Sequence, residues 1–125
     1  MRYLLDVNVL LSAIWTTHSH HVQTFAWLAD KEIAVCPISE LGFLRISTNK
    51  KALTAEMIKA RQLLDKFCSD LHAERIPDDL PVLESHPKTS DQVTDHYLAD
   101  LAKKHGLKLA TLDGQLKHPA AELVR

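Results

Sequence analysis

Apolar positions along this chain come in short blocks whose spacing changes from strand-like to helical and back. "YLLDVNVLL", Tyr3–Leu11, is apolar throughout except for Asp6 and Asn8, and its pattern predicts a buried strand over residues 2–6 followed by a helix to about Trp15. Val22, Phe25, Ala26, Leu28 and Ala29 recur at helical spacing within His21–Asp30. Ile33–Cys36 is an apolar run of strand length; Pro37 breaks it, and Ser39 can start a helix over Glu40–Ser47. From Thr54 to about Asp70, Met57, Ile58, Leu64 and Phe67 keep a helical period, and His72–Ile76 reads as a further strand. Pro77, Pro81 and Pro87 mark residues 77–90 as mostly loop, with one helical turn at most. Thr94 is placed to cap a helix over Asp95–His105, with Leu98, Leu101 and Ala102 inward and Gly106 just past its end. Leu107–Thr111 is the next strand and Leu123–Arg125 a last edge strand. Strands alternating with helices predict an α/β fold, a parallel sheet covered on both faces.

Bulk properties narrow the function classes. The 125 residues predict one domain, 1–125, able to bury roughly two-thirds of its unfolded surface. A net charge of -1 excludes the broad basic footprint that binds nucleic acid by charge alone, and leaves room for a small, metal-assisted nucleic-acid site. Cys36 and Cys68 lie far apart with no CxxC pattern, which suits small buried hydrophobes in a reduced compartment. The first residues lack a signal-peptide plan and no apolar segment reaches transmembrane length, so the expected location is the cytoplasm, with no membrane partner.

Four acidic residues carry the candidate chemistry. In parallel α/β sheets ligands bind beyond the carboxyl ends of the strands. Asp6 ends the first strand, Glu40 falls in the first turn of the next sheet-following helix, Asp95 opens the last helix, and Asp113 follows the strand ending at Thr111. All four are thereby placed at one end of the sheet. Singly, Glu40 and Asp95 would pass as first-turn residues favoured by the helix dipole, and Asp113 as a turn residue beside Gly114. Asp6 would not, because burying an unpaired carboxylate costs roughly several kcal/mol. Two carboxylates ~4 Å apart repel by about 4 kcal/mol at an effective dielectric of ~20, so a cluster of four calls for cations. An all-oxygen ligand set selects Mg²⁺ or Mn²⁺ over zinc.

"LLDVNVLL", "ISELGFLRI", "VTDHYLADLA" and "ATLDGQL" resemble, in order and spacing, the four motif blocks of PIN domains, especially the VapC-type toxin ribonucleases. The resemblance spans nearly the whole chain. It implies a three-layer α/β/α sandwich with a central, mostly parallel sheet. It places Asp6, Glu40, Asp95 and Asp113 on the family's acidic quartet, Asn8 on a small polar position supporting the first aspartate, and Thr111 on a hydroxyl position near the fourth acid. The implied activity is Mg²⁺- or Mn²⁺-dependent endoribonuclease action, with Asp6, Asp95 and Asp113 as direct ligands and Glu40 binding a second ion or orienting the water. The implied partners are an RNA substrate, a second copy of the chain in a homodimer, and a small VapB-like antitoxin whose tail blocks the acidic cleft. The motif selects Asp95 over Asp91, four residues earlier. Asp100, about 140° round the helix from Asp95 at ~3.6 residues per turn, is expected to be solvated. Asp78 and Asp79, beside Pro77, are expected to be turn formers. Arg45, Lys50 and Lys51 could touch RNA phosphate or be plain solvated charges.

Rival chemistries leave weaker marks. His18, His20 and His21 cluster but match neither HExxH nor a Cys/His zinc spacing. A metal-free ribonuclease using two imidazoles as acid and base is a second possibility, recognisable by 2′,3′-cyclic phosphate ends and full activity in EDTA. Aspartyl-phosphate chemistry would want a second aspartate where Asn8 stands. A metal-dependent phosphohydrolase acting on another ester stays open. So does an inactive PIN-like binding module, against which the four intact acids argue.

Overall fold

A computed structural model describes all 125 residues. The elements in chain order are β1 (Arg2–Leu5), α1 (Val7–Ile14), α2 (His21–Leu28), β2 (Glu32–Val35), α3 (Pro37–Thr48), α4 (Met57–Asp70), β3 (Glu74–Arg75), α5 (Val93–Lys104), β4 (Lys108–Thr111) and β5 (Ala121–Leu123). Two 3₁₀ turns, Val82–Glu84 and Ser90–Gln92, punctuate the proline-rich stretch before α5. The sheet order is β3-β2-β1-β4-β5, and every pairing is parallel.

The period of two along β1 sets the layers. Tyr3 and Leu5 face one side, where Val9 and Leu10 of α1, Phe43 of α3 and Leu64 and Phe67 of α4 close over them. Leu4 faces the other side, against Leu98, Leu101 and Ala102 of α5. The result is the three-layer α/β/α sandwich with its parallel sheet. Chain direction across the sheet reverses at β1, which runs on to β2 on one flank and accepts β4 on the other. The carboxyl ends of β1 and β4 therefore bound the crevice in which such folds bind ligands.

Local chemistry moves several boundaries from their expected places. α3 opens at Pro37, a favoured first helical residue, while Ser39 sits inside the first turn and bonds back to the Cys36 amide at 3.2 Å. α4 begins at Met57 rather than near Thr54, whose φ of 52° is left-handed. The third strand shrinks to Glu74–Arg75, and the last one is Ala121–Leu123 rather than Leu123–Arg125. α5 starts at Val93 with Gln92 at its cap position, so Thr94 lies within the helix and caps nothing. Gly106 stands beyond the helix end at φ 72°, as a C-terminal glycine should. One glycine is needed for packing: a Cβ on Gly42 would lie 2.6 Å from Cγ2 of Val7, so its absence lets α3 approach α1. No helix is long and apolar enough to cross a membrane.

Candidate active site

Asp6 follows β1 directly and caps α1. Its amide continues the β1–β4 ladder to the Ala110 carbonyl at 3.0 Å, while its side chain turns back on the new helix. Oδ1 accepts from the Val7 amide at 2.7 Å and Oδ2 from the Thr111 hydroxyl at 2.8 Å. The residue is 1% exposed. Burial, then the charge of Asp95, pushes its carboxyl up from 3.8 to about 7, against the opposing pull of the Thr111 and Val7 bonds.

Asp95, in the first turn of α5, is the partner. Burial raises its carboxyl as well, with Asp113 and Asp91 adding repulsion, while a hydrogen bond with Asp6 lowers it. Two adjacent carboxyls of this kind hold a shared proton or a cation between them. Asp113 joins through Thr111, whose hydroxyl oxygen accepts the Asp113 amide at 3.0 Å, and its own Oδ1 accepts the Gln115 amide at 2.9 Å. The buried Thr111 thus ties the first acid to the fourth. Asn8 acts differently from its expected role: its Oδ1 accepts the Leu112 amide at 3.2 Å, pinning the segment between Thr111 and Asp113 rather than touching Asp6.

Glu40 is placed in the first turn of α3, but its carboxylate is turned to Arg75 of β3, with Oε2 2.5 Å from Nη1. Glu40 and Arg75 stand at the edge of a groove of about 890 Å³ between α3 and α4, lined also by Leu41, Leu44, Met57 and Ile58. The structure therefore brings together Asp6, Asp95 and Asp113, adds Asp91 at the margin, and holds Glu40 in a separate ion pair.

Arg75 escaped the sequence reading, although its position in the short strand ending at Ile76 was the available signal. Asp100 corrects the expectation of a solvated residue, because it is half-buried against His96 and His118. Asp78 accepts the Ile38 amide at 3.2 Å in the first turn of α3, and Asp79 pairs with His105 at 2.7 Å, so both do more than form a turn. Arg45 lies in the last turn of α3, and exposed Lys50 and Lys51 follow its end. A 12-residue helix is about 18 Å long, which carries those two lysines far from the carboxyl edge of the sheet.

The donor set fits a hard divalent ion. Three carboxylates and a threonine hydroxyl offer only oxygen, and the raised Asp6 carboxyl reports an anionic pair with no cationic side chain acting on it.

Sequence and structure comparisons agree with this architecture. The profile of the PIN domain matches residues 3–122. The chain is 34% identical to Ribonuclease VapC38 of Mycobacterium tuberculosis over 88% of this chain and 84% of that protein. It is 36% identical to Ribonuclease VapC29 of the same species over 94% and 90%. Among solved structures it superposes on a chain of VapBC2 from Rickettsia felis, solved bound to a DNA fragment from their promoter, with a TM-score of 0.65 at 20% identity, covering 98% and 97%. FitAcB from Neisseria gonorrhoeae gives 0.58 at 22% identity, covering 90% and 88%. At those identities the two structures show the shared fold.

Proposed function

This chain belongs to the PIN domain family, and on that premise we propose that it is a VapC-type endoribonuclease, the toxin of a toxin–antitoxin pair. The observation that carries the mechanism is the Asp6–Asp95 pair: a buried carboxyl raised to about 7 beside a second acid is a place built for a cation. Asp6, Asp95 and Asp113 would hold Mg²⁺ or Mn²⁺. When bound, the ion would supply Lewis acidity and lower the pKa of a coordinated water.

The chain's own residues prepare that chemistry. The Thr111 hydroxyl and Val7 amide fix both oxygens of Asp6 before any ion arrives, so little reorganisation is needed on binding. Thr111 and Asn8 together fix the backbone that presents Asp113. Glu40, paired with Arg75 in this structure, would be the fourth acid, binding a second ion or orienting the water. Water attack on the scissile phosphate leaves a 5′-phosphate and a 3′-hydroxyl.

The VapC names of the relatives and the VapBC2 neighbour support a small VapB-like antitoxin as partner. A homodimer and a cytoplasmic setting complete the reading. The test is direct. Purified protein should cut RNA with Mg²⁺ or Mn²⁺ and not in EDTA, giving 5′-phosphate ends, and expression of wild type but not Asp6→Asn should arrest bacterial growth. Cyclic phosphate ends, activity in EDTA, or equal growth at equal soluble expression would overturn it.

A further inference from the structure

Asp6 is fixed by a strand and Asp95 by a helix, whereas Asp113 opens the irregular segment 113–120 between β4 and β5. The far end of that segment is held by α5. His118 Nε2 lies 2.7 Å from Oδ1 of Asp100, and His96 Nδ1 lies 3.0 Å from its Oδ2. The Ser85 hydroxyl sits 3.2 Å from His96 Nδ1. Asp100 and His96 thus link three stretches of chain: the proline-rich segment, α5, and the segment that begins at Asp113. The side chain of His118 is only 6% exposed.

The ligand atoms of His96, Asp100 and His118 lie within 4.8 Å of one another, a spacing that would suit a transition metal. The tautomer argues otherwise. The Ala120 amide donates to His118 Nδ1 at 3.0 Å, so that nitrogen carries a lone pair and the single ring proton of a neutral imidazole resides on Nε2, facing Asp100. Metal-bound histidines normally donate from their second nitrogen; this one accepts there. Burial pushes the Asp100 carboxyl up, but hydrogen bonding, from His118 first, outweighs it and holds it below its ordinary value. The cluster is a carboxylate held by imidazole N–H groups.

Asp95 and Asp100 are five residues apart on α5, about 7.5 Å along its axis. Asp113 and His118 are likewise five apart on the facing segment. Two arms of equal residue count are therefore closed at one end by the acidic cleft and at the other by the Asp100–His118 bond. A weaker strut, from Gln92 Nε2 at the cap of α5 to the Gln115 carbonyl at 3.4 Å, ties the same segment to the start of the helix. We propose that Asp100 and His118 are positioning residues that set the spacing of Asp95 and Asp113 in the metal-binding cleft. This rests on the metal-dependent reading of that cleft.

The test compares wild type, His118→Ala, His118→Gln and Asp100→Asn as full-length protein, well below their melting temperatures. Mn²⁺ affinity is measured by calorimetry, and kcat and KM on RNA are measured alongside. Loss of supporting contacts to metal ligands typically costs 10–100-fold in affinity or activity, and His118→Ala should fall on that scale with KM little changed. Glutamine can present an N–H where Nε2 stands, so His118→Gln should stay within about threefold of wild type. Asp100→Asn keeps the volume and one acceptor oxygen but turns a donor toward one of the two histidines, so it should fall between His118→Gln and His118→Ala; it also covers the case in which the alanine variant fails to fold. Lower melting temperatures with unchanged Mn²⁺ affinity and kcat would overturn the proposal while sparing the nuclease reading. Stoichiometric Zn²⁺ binding abolished by His118→Ala, with Mn²⁺ affinity intact, would overturn it in favour of a second metal site. Wild type that binds no Mn²⁺ would overturn both readings.

Discussion

Replacing Asp6 by asparagine should stabilise the metal-free protein, and the gain should depend on pH. In the folded chain the Asp6 carboxyl is raised from 3.8 to about 7 by burial and by Asp95. The native state therefore binds the proton more tightly than the unfolded chain does. That contribution to stability is fully present below about pH 4 and is lost as pH rises to about 7. Three pH units at about 1.4 kcal/mol each give on the order of 4 kcal/mol as an upper bound. If relaxation leaves half of that, the neutral side chain recovers about 2 kcal/mol at pH 8, a melting-temperature rise on the order of 8 °C for a domain of this size. The cap survives the change, because an asparagine oxygen can accept the Val7 amide as well as a carboxylate can. Its amide group can donate toward Asp95. Thermal melts in EDTA from pH 4 to 8.5 should show little difference between variant and wild type near pH 4 and a gap that widens to about pH 7 and then levels off. Adding Mn²⁺ at ~100 times its dissociation constant should raise wild-type stability by about 2.7 kcal/mol, and the variant should lose most of that gain. A variant less stable than wild type in EDTA at pH 8, or a gap that does not grow with pH, would falsify the placement of a strained acid pair at this site.

Two further outcomes follow from contacts beside the cleft. Gly42→Ala should cost about 1–3 kcal/mol in urea unfolding, because its Cβ would meet Val7 Cγ2 at 2.6 Å; adding Val7→Ala should recover part of the loss, and strict additivity would show that the α1–α3 approach is not the cause. Arg75→Gln should change stability by less than about 1 kcal/mol, since the arginine side chain is 54% exposed. It should also tighten Mn²⁺ binding: a unit charge ~10 Å away across an effective dielectric of ~40 is worth about 0.8 kcal/mol, a factor of about four. Unchanged or weaker Mn²⁺ binding would detach Glu40 and Arg75 from the metal site.

Where neighbours in sequence decide the outcome, the structure was legible beforehand. Asp6 stood out because an apolar run cannot solvate a carboxylate, and the run itself became β1. Gly106 marked the end of α5 because only a left-handed residue continues the chain there. Contacts between distant segments were not legible. The 140° separation of Asp95 and Asp100 correctly places them on different faces of α5, yet the second face is covered by His118, 18 residues away. Glu40 meets Arg75 across 35 residues, and no helical or strand period encodes that meeting. Thr94 failed as a cap because the 3₁₀ turn Ser90–Gln92 feeds α5 directly, so the helix begins before it. Asn8 reads in sequence as a polar residue supporting Asp6, but the contact it makes, to the Leu112 amide, depends on β4 docking beside β1.

That docking has a consequence for when the protein can act. β1 leaves the ribosome well before β4, yet one of its edges waits for that strand, and Asp6 waits for Thr111 and for the acids at 95 and 113. Between Asp6 and Asp113 lie 107 positions of translation, about 5–20 s at bacterial-scale rates of ~5–20 residues per second. Throughout that interval the nascent chain carries the first acid without the strand that orients it. A chain released early, short of β4, would have no assembled cleft. The pairing of β1 with β4 is thus the step that assembles the acidic cleft, and it comes late in synthesis.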